Sequence, residues 1–209
     1  PARKKFLKTT AVELRHMIEV VTRYALANPK VNFHLRHNQE ELLRTAATAD
    51  LRNTIASLYG AATAKLMLPV RYKNEAVEIS GFIGTPAPVR SDKQQQVLFV
   101  NGRWVRSEEI TAALYEGYHS MLFVHKHPLF VLSLSLDPKR IDVNVHPAKT
   151  QIKMEQKELV CQAVSAAVKE TLRRHNLIPT AEVEFTQVQF STPVTKSTYA
   201  FESAAQTVL

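Results

Sequence analysis

Strand-like and helix-like segments follow one another irregularly between residues 97 and 174. The apolar run at 97–100 is typical of a strand covered on both faces, and Ser107 with the two glutamates after it predicts a helix start. A long strand at 130–136, a further strand from Ile141 and a long amphipathic helix follow. The order strand, helix, strand, strand, helix indicates an α/β or α+β domain whose sheet is covered by helices on one face.

The strand that begins at Ile141 ends at a proline and is followed by a lysine. Apolar residues occupy alternate positions from 141 to 145, and the opposite face carries Asp142, Asn144 and His146. Pro147 cannot donate to a sheet ladder, so pairing should end there, with Asn144, His146 and Pro147 supporting the turn. Lys149 would then project from a stiffened turn, which suits a phosphate, although a surface lysine after a strand is the commoner case.

Further elements are predicted from periodicity and capping residues. In chain order they are a helix from Thr10 to about 28, a hairpin of 31–36 and 41–45, a short helix from Asp50 to Gly60, and a strand at 75–83. Thr10 and Glu13 form a capping box at the start of the first helix. A polar, proline-containing loop follows at 85–96, and from Thr180 the chain has the composition of a linker or tail.

The composition favours a globular protein with a polyanionic partner. The chain has 209 residues, 45% of them hydrophobic, which is enough for one large or two small domains. No run of membrane-spanning length and no signal or lipidation motif is present, so we expect a soluble protein. The single cysteine, Cys161, favours a reducing compartment. A net charge of +8 and a pI near 9.7 favour nucleic acid over an acidic membrane surface. The basic residues are spread along the chain, so the alternative is that the charge serves only solubility.

Glycine is scarce, with only five in the whole chain. Neither a P-loop nor a G-x-G-x-x-G motif can be built from them, so the chain lacks the usual backbone cradle for the phosphates of a nucleotide. If Lys149 contacts a nucleotide, another domain must therefore hold most of that nucleotide.

Basic residues near the strand ends are candidates for contacts with DNA. Arg103 and Arg106 flank Trp104, and the further candidates are Arg90, Lys93, Lys139 and Arg140. The alternative is that Arg103 pairs with a carboxylate while Trp104 packs in the core. Both interpretations fit the sequence equally well.

Metal binding and nucleophilic catalysis have little support. His119, His125 and His127 lie close together, but no cysteine or carboxylate accompanies them at the spacing of a metal site. Cys161 lies beside the apolar stripe of the last helix, as a packed thiol would. We therefore predict no metal site, and a free-standing enzyme is the least favoured class.

Three segments together resemble MutL-type DNA mismatch repair proteins: Val-Asn-Gly-Arg at 100–103, Asp-Pro at 137–138, and Asp-Val-Asn-Val-His-Pro-Ala-Lys at 142–149. The basic opening 1–8 resembles the segment that joins the ATPase domain of that family to the next domain. The resemblance extends from Pro1 to about Leu177. Residues 150–154 depart mildly from the acidic, Val- and Arg-rich continuation of many members, without changing the spacing.

The resemblance implies an α+β fold, a transducer domain similar to the second domain of ribosomal protein S5, with a mixed sheet. It implies a junction at 1–8, this domain at 9–177 and a tail at 178–209. It also implies that Lys149 reaches the γ-phosphate of ATP held, with Mg, by an absent GHKL-type ATPase domain, and so serves as a catalytic and cofactor-binding residue. The full-length protein would be an ATPase, whereas we expect this fragment alone to be inactive and to bind no nucleotide.

The resemblance further implies a role in DNA mismatch repair. The implied partners are DNA, the adjacent ATPase domain, a mismatch-recognition protein of the MutS type and a second copy of the full-length protein, with no membrane. The implied location is the cytoplasm and nucleoid in a prokaryote or the nucleus in a eukaryote. The alternative function is a stand-alone nucleic-acid-binding module on an S5-like fold, with no nucleotide role.

Overall fold

The computed structural model of the protein describes residues 9–86, 95–122, 126–142, 152–175 and 177, which all fall within one compact unit, Pro1–Pro179. The predicted features that lie outside the described residues are the junction 1–8, the tail 178–209, Arg90, Lys93, His125, Asn144, His146, Pro147 and Lys149. Among the described helices, none combines the length and the apolar character needed to cross a membrane.

The described part of the chain contains helices and strands in mixed order. The elements are α1 (Thr10–Ala27), β1 (Phe33–His37), β2 (Glu40–Thr45), α2 (Leu51–Tyr59), α3 (Ala61–Lys65), β3 (Met67–Lys73), β4 (Glu78–Gly84), β5 (Gln96–Val100), β6 (Arg103–Val105), α4 (Glu108–Tyr118), β7 (Phe130–Ser135), β8 (Ile141–Asp142), β9 (Lys153–Met154) and α5 (Lys157–Arg174). Short 3₁₀ helices lie at His119–Met121 and Pro138–Arg140.

The helix starts show which capping predictions were right. The Asp50 side chain accepts a hydrogen bond from the Arg52 backbone N–H at 2.9 Å, and Ser107 Oγ accepts one from the Ile110 N–H at 3.2 Å. These two N-caps are confirmed. The capping box at Thr10 is wrong, because the N-cap of α1 is Thr9 and it makes no side-chain hydrogen bond.

Five strands form the main sheet, in the order β3-β4-β7-β5-β6. Neighbours are antiparallel except β5 and β7, which are parallel with Leu98 opposite Leu132. A parallel pair needs a crossover connection, and α4 lies within it. β7 is consequently the central strand, between the β3–β4 hairpin and the β5–β6 hairpin. β1 with β2 and β8 with β9 form two further, separate antiparallel pairs.

Helices cover both faces of the main sheet. On one face, Tyr118 of α4 and Leu172 of α5 belong to the same buried cluster as Leu98 and Leu132. On the other face, a second cluster joins Leu26 of α1, Ile55 of α2 and Ala64 of α3 to Val97, Phe99 and Val131. The helices predicted to cover one face of the sheet are therefore α4 and α5. The other face is also covered, by α1, α2 and α3. This second layer of helices explains why β5 is apolar at every position from 97 to 100.

One buried hydrogen bond joins the end of α4 to the main sheet. Tyr118 is fully buried, and its hydroxyl donates to the backbone carbonyl of Gly84 at 2.5 Å. Because Gly84 ends β4, this bond ties the last turn of α4 to a strand well removed from it in sequence.

Candidate nucleic-acid interface

The turn between β5 and β6 brings Arg103 to one end of the main sheet. Asn101 has φ of 48° and Gly102 has φ of 75°, the left-handed conformations that a two-residue hairpin turn requires. The Asn101 side chain donates to the Leu136 carbonyl at 2.9 Å and accepts from the Leu136 N–H at 2.8 Å. The turn is thereby attached to the chain where it leaves β7.

The 3₁₀ helix after β7 places two more cations at that end of the sheet. The Asp137 side chain accepts a hydrogen bond from the Lys139 N–H at 3.0 Å, which caps the helix. Lys139 and Arg140 are both exposed. Arg140 Nη1 donates to Gln156 Oε1 at 2.7 Å, so this guanidinium is held against the start of α5. The predicted cations Arg103, Lys139 and Arg140 are thus brought to one end of the sheet.

The two-stranded β8–β9 ladder adjoins this end. Ile141 pairs with Met154 and Asp142 pairs with Lys153. Lys153 is exposed, and it adds a cation that sequence reasoning did not single out. The sequence signal that could have identified it is the alternation of Lys153 with the apolar Ile152 and Met154, which are half-buried in the structure. Residues 143–151, which include Lys149, follow β8 in the sequence and lie outside the described residues.

Within the described part of the chain, carboxylates compensate the positive charge at this end of the sheet only in part. Lys73 forms an ion pair with Glu78 at 3.0 Å. Among the described residues, no carboxylate lies within ion-pair distance of Arg103 or Lys139. Exposed cations without carboxylate partners are available to contact a phosphate backbone.

Arg106 lies elsewhere, on the opposite side of β6 from Arg103. Its guanidinium carbon lies 5.1 Å from the centre of the Trp104 ring, and that of Arg23 lies 3.8 Å from the same centre. Trp104 is half-buried and packs against the second buried cluster. The predicted set of DNA-contacting arginines is therefore divided between two places. The alternative that Trp104 packs in the core is right in part, whereas Arg103 has no carboxylate partner among the described residues.

An open groove of about 990 Å³ runs beside Trp104, between α1 and α4. Its walls include Glu19 and Arg23 of α1, Arg106, and Tyr115 of α4. Tyr115 accepts a hydrogen bond from Gln96 at 2.8 Å and lies 2.6 Å from His127 Nδ1. Burial raises the pKa of the Tyr115 hydroxyl.

The described residues hold no cluster of three or more side chains that could ligate a metal ion. His127 contacts Tyr115 rather than another histidine in this part of the chain. Cys161 is half-buried on α5, and burial raises the pKa of its thiol, as for a packed rather than a reactive cysteine.

Comparison with known proteins identifies the family. The model of the family described as DNA mismatch repair protein, C-terminal domain, matches residues 55–173. The chain is 37% identical over 197 residues to DNA mismatch repair protein MutL of Shouchella clausii and 41% identical over 182 residues to that of Desulforudis audaxviator. These alignments cover 91% and 87% of this chain but 30% and 32% of the relatives, so the chain spans about a third of their length.

Two solved structures show the same fold. A crystal structure of the N-terminal domain of a DNA repair protein matches with a TM-score of 0.63 and 23% identity, over 84% of this chain and 58% of that chain. The ATPase domain of Aquifex aeolicus MutL complexed with ADP matches with a TM-score of 0.52 and 21% identity, over 78% and 52%. The chain belongs to the MutL family of DNA mismatch repair proteins. The predicted α+β fold, of the ribosomal protein S5 domain 2 type, is confirmed.

The family match does not cover the first described elements. It begins at residue 55, inside α2, so α1, β1 and β2 precede it. The prediction of a single domain from residue 9 to 177 stays a prediction.

Proposed function

We propose that the chain is the transducer part of a mismatch repair ATPase. It senses the γ-phosphate of ATP bound in an adjacent GHKL-type ATPase domain and contributes to DNA binding. The observation that carries the proposal is the segment 142–149, ending in Lys149, in a chain that belongs to the MutL family.

A lysine suits this role on physical grounds. Its ammonium is a compact charge that fits a single phosphate oxygen. A contact made with the terminal phosphate exists in the ATP state and not in the ADP state, so it favours one domain arrangement. A hydrogen bond to a charged group contributes about 1.5–3 kcal/mol, roughly a tenfold to hundredfold bias. In the full-length protein ATP and Mg would be held by the ATPase domain, and Lys149 would be the contribution of this chain to catalysis.

The exposed side of α1 supports an adjacent ATPase domain. Met17, Val20 and Tyr24 lie along one side of the helix and are 51%, 46% and 60% exposed. Apolar side chains that follow one helix face mark a contact surface. The structure of a DNA repair N-terminal domain extends beyond the part that this chain matches, since only 58% of it is covered. We infer that the ATPase domain covers this face.

The test of the nucleotide role is the Lys149→Ala variant of the full-length protein, with Lys169→Ala as the control. Lys169 is an exposed lysine on α5, away from the candidate interface. ATP turnover should fall about tenfold or more in Lys149→Ala and stay near the unmutated rate in Lys169→Ala. The unfolding temperature should be unchanged in both. Unaltered turnover in Lys149→Ala would contradict the proposal.

The test of DNA binding uses Arg103→Glu and Lys139→Glu, with Lys169→Glu on α5 as the control. Each of the first two should weaken binding to duplex DNA and lower the slope of log affinity against log salt by about 1. The control, an exposed lysine on a different element, should change neither. A stand-alone nucleic-acid-binding module is the second candidate, supported by the same cations. It would be favoured if the DNA variants lose affinity while Lys149→Ala keeps full ATP turnover.

The remaining partners follow from the same proposal. A mismatch-recognition protein of the MutS type and a second copy of the full-length protein are the proposed partners. The fragment alone is proposed to be inactive as an enzyme. The relatives named above are bacterial, which favours the cytoplasm and nucleoid as the location.

A further inference from the structure

Two side chains of α1, about one turn apart, contact the family-matched region 55–173 in different ways. Leu26 is 2% exposed and packs in the second buried cluster with Ile55 of α2. Arg23 stacks on Trp104 of β6, 3.8 Å from the ring centre. The first contact is apolar and buried inside the molecule, whereas the second lies at the wall of the open groove.

Two electrostatic effects act on Arg23 in opposite directions. Arg23 Nη2 pairs with Glu19 Oε2 at 3.1 Å, one turn earlier in α1. Arg106 approaches the same indole ring, and within the described residues no carboxylate pairs with it. The second cation competes with Arg23 for the ring and repels it. Neither arginine is a member of the two buried clusters, so the stack can be lost without removing a core side chain.

The groove provides the space into which α1 can move. It separates α1 from α4, with Glu19 and Arg23 on one wall and Thr111 and Tyr115 on the other. The first turns of α1 carry no fully buried side chain, since its buried residues are Ala25 and Leu26 near the other end. A rotation about Leu26 would therefore displace the start of α1 far more than its end.

We propose that the stack of Arg23 on Trp104 is a latch that sets the angle between α1 and the matched region, with Leu26 as the pivot. When the stack is closed, α1 and the sheet move as one body. When it opens, α1 turns about Leu26 and the groove widens. That this angle carries the nucleotide signal rests on the proposed function, whereas the latch itself requires no nucleotide.

The test is hydrogen exchange of the 209-residue chain without nucleotide, comparing Arg23→Ala with Arg15→Ala. Arg15 is an exposed arginine on the same helix and serves as the control for charge and helix propensity. Exchange at residues 12–22 should rise about fivefold or more in Arg23→Ala, because a partly buried cation–π contact is lost. Exchange in β7 and α5 should stay unchanged. Arg15→Ala should match the unmutated chain throughout.

Trp104 provides an independent measurement, because it is the only tryptophan in the chain. Quenching of its fluorescence by acrylamide should increase in Arg23→Ala and stay unchanged in Arg15→Ala. Glu19→Gln, which keeps Arg23 but removes the negative charge of its partner, should give an intermediate increase in both measurements.

Three results would overturn the latch. Unchanged exchange at 12–22 in Arg23→Ala would show that the stack does not restrain α1. A rise of equal size in β7 and α5 would show a contribution to global stability instead. An equal effect of Arg15→Ala would assign the change to the helix itself. Because no nucleotide is present, each result is separate from failure of the Lys149 test.

Discussion

Asn101 is predicted to be the residue that keeps the cations at the end of the sheet together. Its side chain makes two hydrogen bonds to the backbone of Leu136, at 2.9 and 2.8 Å. β6 begins two residues after Asn101, at Arg103, and the 3₁₀ helix with Lys139 and Arg140 follows Leu136. Loss of the Asn101 side chain should free the two segments from each other.

The size of the effect follows from the two bonds and their exposure. A typical hydrogen bond contributes about 0.5–1.5 kcal/mol net, and exposed bonds fall at the lower end. Asn101→Gly removes both bonds while tolerating φ of 48°, so it should lower the free energy of unfolding by about 1–2 kcal/mol. Asn101→Ala should cost about a further 1 kcal/mol, because a residue with a Cβ but no polar group is strained in this conformation.

Urea denaturation of the three proteins measures these differences, and hydrogen exchange at residues 136–140 locates them. Exchange should rise at these residues in both variants and stay unchanged in α5. The DNA affinity of both variants should also fall if the cations act together. If Asn101→Gly were as stable as the unmutated chain, with unchanged exchange at 136–140, the two hydrogen bonds would contribute nothing to stability and the reasoning would be refuted.

Three further predictions concern the sheet and its helices. Gly81 has φ of 129°, and a Cβ there would lie 2.1 Å from the Val131 carbonyl oxygen, so Gly81→Ala should destabilise the chain by about 3 kcal/mol or more. Gly102 has φ of 75° and a Cβ there would meet no atom within 4 Å, so Gly102→Ala should cost only about 1 kcal/mol in the same urea experiment. Tyr118→Phe should cost about 1–2 kcal/mol, since it removes the buried hydrogen bond to Gly84, and unaltered stability would contradict that role. Burial raises the Tyr59 pKa from 10.0 to about 12, so the folded state holds this proton more tightly than the unfolded chain. The stability that Tyr59 contributes is complete below pH 10 and lost as the pH rises towards 12, by at most about 1.4 kcal/mol per pH unit. Urea denaturation across that pH range should show a smaller decline in the free energy of unfolding for Tyr59→Phe than for the unmutated chain. An identical decline in the two proteins would contradict this reasoning.

The parts of the fold that the sequence predicted are those determined by local patterns. The N-caps at Asp50 and Ser107 depend on residues within one turn. β5 was predicted as a strand covered on both faces from its uninterrupted apolar run. By contrast β3 was missed, because Pro69 interrupts its pattern; the proline is tolerated because β3 is an edge strand.

The candidate site was predictable only in part, because it depends on contacts between distant segments. Arg103 and Arg106 are neighbours in sequence, yet the alternation along β6 and the stack on Trp104 separate them. The contact of Arg23 with Trp104 and the attachment of Asn101 to Leu136 join residues that no periodicity relates. Composition indicated a polyanionic partner, but only the tertiary fold decides which cations share a surface.

The central position of β7 determines the order in which the sheet can form during synthesis. β7 is the last of the five strands in sequence, yet it lies between β4 and β5. The β3–β4 and β5–β6 hairpins cannot join until residue 135 has left the ribosome, so until then β4 and β5 each present an unpaired apolar edge. Insertion of β7 closes both edges in one step. A nascent chain that stops before Phe130 therefore exposes two strands ready to pair with other chains.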